Sequence, residues 1–89
     1  MESEVTSRTS GWILEPFADL SAAFVFFESP VRVAVLDRLS WYVLELCDGR
    51  PAAGIAERVR ALGLPGGAER AGRIVAERLS TLRASGLLA

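Results

Sequence analysis

Ten arginines and no lysine supply the positive charge of this 89-residue chain, against eleven acidic residues. A guanidinium presents a planar fork of N–H donors that matches a carboxylate two bonds at a time, so its natural work is recognition of acids. Arg78 is the most informative of the ten. On a helical wheel it falls inside the apolar arc of the last helix, between Ile74 and Ala71. An unpartnered guanidinium in such a place is costly. Either it lines a groove and meets an acidic group of a ligand, or its stem packs while its head reaches water or pairs with an internal carboxylate such as Glu45 or Asp48. Arg70, Ile74 and Arg78 follow an i, i+4, i+8 spacing and border the same arc. They flank a ligand there, or they form an ordinary boundary of solvated charge.

Other chemistry is missing. The chain has no histidine, which removes the usual general base, the commonest metal ligand and every Ser-His or Cys-His pair. The single cysteine, Cys47, forms neither an internal disulfide nor a thiolate cluster. It reads as a small buried apolar residue. Catalysis, a metal site and a cofactor are therefore not expected. The net charge of −1 gives no general attraction to nucleic acid or to an anionic membrane. The polar, acidic N-terminus is not a signal peptide, and no apolar run nears the ~20 residues of a membrane span. Without a disulfide framework the expected compartment is the cytoplasm. At 51% hydrophobic residues the chain can build one small core.

The elements that position these residues follow from pattern. Met1 to Ser10 lacks periodicity and reads as a flexible tail. Trp12 to Phe17 is a short strand limited by Pro16, and Ala23 to Glu28 is rich in strand formers. In that second strand Phe24 and Phe26 share one face while Val25 and Phe27 share the other, so both faces are expected to be partly covered. An exposed phenylalanine would mark a contact surface for a partner. Glu28-Ser29-Pro30 reads as a turn. Val31 to Leu36 alternates Val31, Val33 and Val35 against Arg32, Ala34 and Leu36. The product is a three-stranded antiparallel meander whose last strand has an open edge. Arg32 either contacts a ligand along that edge or guards it.

The stretch Leu36 to Gly49 organises the rest. Asp37 is a good N-cap and Gly49 a good C′ terminator. Leu39, Tyr42, Val43 and Leu46 make one stripe, with Trp41 and Leu44 on another side, as expected of a helix contacted from several directions. Pro51 suits the first position of a second helix, with a stripe of Ile55, Val59 and Leu62. Gly54 costs that helix about 1 kcal/mol relative to alanine. A third helix runs from about Ala68 to Ser85, with Ala71, Ile74, Val75, Leu79 and Leu82 on one arc.

This combination resembles the PqqD-like family, the RiPP recognition elements. The likeness covers roughly Val31 to Leu88. It rests on Leu36-Asp37, on Val43-Leu44 with Leu46-Cys47-Asp48-Gly49, on Ile55-Ala56, and on Leu79, Leu82 and Gly86-Leu87-Leu88. The resemblance implies an α+β, winged-helix-like fold, with a three-stranded antiparallel sheet followed by three helices. It implies a peptide-binding domain over residues 11 to 89. It also implies a function: holding the leader segment of a ribosomally made precursor peptide and presenting it to a modifying enzyme. The leader would add as a fourth strand to the third strand, under helix three. The residues implied in peptide binding are Val31, Arg32, Val33, Ala34 and Val35 on the strand, and Arg70, Ala71, Ile74, Val75 and Arg78 on the helix. That mode agrees with the open edge read from the pattern. The competing function is a winged-helix DNA-binding regulator using Arg70, Arg73 and Arg83. Net charge, the lack of lysine and the inward position of Arg78 stand against it. The start at Met1 and the end just after Leu87-Leu88 favour a stand-alone protein.

Overall fold

Asp37 sits where strand becomes helix. Its backbone is extended, and its Oδ1 accepts from the Ser40 backbone N–H at 2.7 Å. One of the four free N–H groups of the first turn is thereby satisfied. The computed structural model describes residues 5–89. Three strands lead to this cap: β2 (Trp12–Pro16), β3 (Ala22–Glu28) and β4 (Val31–Asp37). They form an antiparallel sheet in the order β2-β3-β4, with Ile13 opposite Phe26, Phe26 opposite Val33, and Phe24 opposite Val35. Ala23, Val25, Phe27 and Leu36 point to the helices and are buried.

The helices are α1 (Arg38–Glu45), α2 (Ala52–Arg60) and α3 (Gly67–Ala84). Val43 and Leu44 of α1 are buried, as are Ile55 and Val59 of α2 and Ala71, Val75, Leu79 and Leu82 of α3. These side chains join Val25, Leu36, Leu87 and Leu88 in one apolar cluster. Such burial is the main favourable term in a domain of this size. Among the described residues the architecture is thus α+β, with three helices on one face of this three-stranded antiparallel sheet.

Several expectations need correction. The tail assigned to Met1 to Ser10 contains a strand, β1 (Val5–Ser7), which pairs antiparallel with β5 (Asp48–Pro51). Thr6 is buried and donates from its hydroxyl to the Arg50 carbonyl at 2.9 Å. The Thr9 N–H donates to the Leu87 carbonyl at 3.0 Å, and the Ala89 N–H to Ser7 at 3.0 Å. The first described residues therefore clamp the end of the chain. This pairing joins residues more than forty positions apart, so no local period announces it. The first four residues of the expected tail lie outside the described ones.

Helix α1 also ends before Gly49. The Leu46 N–H turns back to the Val43 carbonyl at 3.1 Å and the Cys47 N–H to Leu44 at 3.0 Å, which tightens the last turn. Gly49 does have positive φ (101°), but inside β5. Pro51 lies at the N-cap position of α2, one residue before the first helical position expected for it, and its side chain makes no cap hydrogen bond. Leu62 leaves the expected stripe and is 51% exposed, because α2 stops at Arg60.

Candidate functional site

The edge of β4 comes first. In the sheet order β2-β3-β4, β4 pairs with β3 alone among the described residues. Alternate N–H and C=O groups of an antiparallel strand point to each side, so those facing away from β3 have no strand partner. Val31 is 85% exposed, Val33 55% and Val35 59%. Their side chains point to the sheet face opposite the helices, and only their backbones border the edge. Ala34, pointing the other way, is half-buried.

Two arginines reach between β4 and α3. Arg32 lays its guanidinium over the Phe27 ring, 3.7 Å from the centroid, and donates from Nη2 to the Ser85 carbonyl at 2.7 Å. This satisfies a carbonyl at the C-terminus of α3, where the helix dipole favours a cation. Gly86 follows with φ 85°, and a Cβ there would lie 3.2 Å from Arg32 Nη2. Arg78 reaches the other end of the strand, with Nη2 3.4 Å from Asp37 Oδ2. Its partner is neither Glu45 nor Asp48. Arg78 Nε is buried and has no hydrogen-bond partner among the described residues. A buried N–H without an acceptor is a cost the fold carries unless something else satisfies it.

The arginine stripe on α3 does come together. Arg70, Ile74 and Arg78 line one cavity of about 360 Å³, with Leu39 of α1, Leu64 and Pro65 of the α2–α3 connection, Arg73 and Glu77. None of the β4 residues lines this cavity; its nearest lining residue in sequence is Leu39, two residues after Asp37. Ala71 and Val75 are not part of it. They are 4% and 2% exposed and belong to the core. They share the apolar arc with Ile74, but the centre of that arc is turned inward and only its flank is left for a ligand.

Electrostatics tie Asp37 to this site. Burial pushes its carboxyl pKa up, but the hydrogen bonds from Ser40 and the Arg78 charge outweigh that and hold it below the usual 3.8. Cys47 is fully buried, and burial raises its thiol pKa. A raised thiol pKa is the reverse of an activated nucleophile. Among the described residues no group of three His, Cys, Asp or Glu side chains is placed to hold a metal ion. Among them too, no helix is long and apolar enough to cross a membrane.

Sequence reasoning missed a second cleft. Leu20, Trp41 and Tyr42, rimmed by Asp19, Arg38 and Glu45, line about 530 Å³ on the exposed side of α1. Arg38 Nε donates to the Leu20 carbonyl at 3.2 Å, and Leu20 has φ 60°, unusual for a branched residue. The one local signal was Asp19 two residues before Ser21, whose N–H and hydroxyl both donate to Asp19 Oδ1. Comparisons with protein-family models, with curated proteins and with solved structures find no match.

Proposed function

We propose that this chain is a non-catalytic, cytoplasmic peptide-binding adaptor of the RiPP recognition element kind, with a winged-helix-like fold. Its ligand is the leader segment of a ribosomally made precursor peptide. The leader adds as a fourth strand to the outer edge of β4, beneath α3, and is presented to a modifying enzyme. The observation that carries the reading is the edge of β4, which no described strand pairs, with Arg32 and Arg78 bridging its two ends to α3. Main-chain hydrogen bonds along such an edge give affinity that tolerates sequence, and side-chain pockets beside it give selectivity. The partnerless Nε of Arg78 and its long contact with Asp37 support an acidic group on the peptide as the selective element. Arg70 and Ile74 extend that contact into the cavity.

The test is fluorescence polarisation of a labelled leader peptide, taken from a precursor gene beside this one and titrated with the protein. Saturable binding that is lost on Arg78→Glu or on Val33→Pro supports the reading. Failure of neighbouring leaders to bind, with binding to duplex DNA that falls steeply with salt, replaces it with a regulator.

A further inference from the structure

The sheet face opposite the helices is apolar where an antiparallel sheet exposed on one side is ordinarily polar. Its rows follow from the register. Ile13, Phe26 and Val33 form one, and Phe24 and Val35 form the next. Ile13 is 56% exposed, Phe26 40% and Phe24 38%. Phe17 stacks on Phe24 with centroids 4.6 Å apart, and Phe24 lies 6.0 Å from Phe26. These rings form one surface, and contiguous exposed apolar surface marks interaction sites.

Charge and size restrict what covers it. By strand alternation Glu15 and Glu28 lie on this face, both acidic, while the Asp37 carboxylate is turned to Ser40 and Arg78. Glu15 and Glu28 make no ion pair among the described residues. A second copy would bring only like charges to the contact. Three strands about 4.8 Å apart, crossed over four residue rises, give a footprint of roughly 10 by 13 Å. That is far below the ~800 Å² per partner of a standard stable interface. It suits two or three turns of one helix, whose diameter is about 10 Å and pitch about 5.4 Å.

We infer that the outer face of the β2-β3-β4 sheet docks a basic amphipathic helix of another protein. That helix has an apolar stripe over Phe24, Phe26 and Val33 and Lys or Arg side chains flanking it toward Glu15 and Glu28. The inference does not depend on what fills the β4 edge.

Two synthetic helical peptides of about 18 residues test it, one leucine–lysine and one leucine–glutamate with the same apolar stripe. Each is titrated into ¹⁵N-labelled protein while amide shifts are followed. The lysine peptide is expected to move Ile13, Phe24, Phe26 and Val33 and to bind about tenfold more tightly than the glutamate peptide at low salt. Phe26→Ser, a change at an exposed position, is expected to abolish this while leaving leader binding unchanged. Equal binding of both peptides, shifts confined to the β4–α3 side, or no shift at all would overturn the inference. So would self-association in sedimentation that Phe26→Ser removes, since that would make a second copy the occupant.

Discussion

Asp37 performs two separable tasks, and two substitutions pull them apart. Oδ1 caps α1 through the Ser40 N–H at 2.7 Å, and Oδ2 holds Arg78 at 3.4 Å. Asparagine is as good an N-cap as aspartate, so Asp37→Asn keeps the cap and removes the charge; Asp37→Ala removes both. Loss of an N-cap costs about 1 kcal/mol, within a range of roughly 0.5–2. The ion pair is worth much less. Its side chains are 28% and 62% exposed, and solvent-screened pairs of this kind contribute about 0.2–1 kcal/mol, the lower end suiting the long contact. Urea unfolding followed by circular dichroism should therefore show Asp37→Ala destabilised by about 1–1.5 kcal/mol. Asp37→Asn should lose only a few tenths. Near the melting point 1 kcal/mol corresponds to roughly 4–8 °C for a domain of this size. Asp37→Asn also frees Arg78 from an internal competitor. Under the proposed function it should tighten an acidic leader by at most about twofold, the equivalent of a few tenths of a kcal/mol. If Asp37→Asn destabilises as much as Asp37→Ala, the charge rather than the cap holds this junction, and the reasoning fails.

Other outcomes follow from the same structure. Asp37 binds a proton less readily folded than unfolded, so its contribution is present above the usual 3.8 and is lost as pH falls below it. The stability difference between the wild type and Asp37→Asn should shrink as pH drops through that range, and one that grew would contradict the assigned direction. Gly72 lies inside α3, exposed, with nothing within 4 Å of an added Cβ. Gly72→Ala should stabilise by about 0.5–1 kcal/mol in the same urea assay. Thr9 donates from its hydroxyl to the Gly86 carbonyl at 2.6 Å and accepts from Trp12 Nε1 at 2.9 Å. Thr9→Val should cost about 1–2 kcal/mol, and a neutral result would show that the N-terminal clamp contributes little. Cys47, buried with a raised thiol pKa, should react with a thiol reagent only at the rate of unfolding, and prompt native-state labelling would contradict its placement.

What the sequence revealed was local. The alternation of Val31 to Leu36 gave the edge strand and the facing of its side chains, and Asp37 gave the strand-to-helix junction. Ala71, Val75, Leu79 and Leu82 gave the buried face of α3. What it hid was long-range. Thr6 and Arg50 meet across the fold, so Val5–Ser7 looked like tail. The partner of Arg78 is Asp37 at the end of β4, a residue whose sequence context announces only a cap. Phe24 and Phe26 are partly covered, as strand composition suggests, but by Phe17 and by each other; among the described residues no helix or strand packs on their face of the sheet. Strand composition reports that a residue suits a pleated surface; it does not report whether a second layer exists.

The central claim is that a peptide strand pairs with β4, and amide hydrogen exchange measured residue by residue tests it most directly. With a saturating leader peptide, exchange should slow at those amides of Val31–Asp37 that face away from β3, with accompanying shifts at Ile74 and Arg78. Protection confined to the cleft of Leu20, Trp41 and Tyr42, or binding that leaves β4 exchange unchanged, would contradict it.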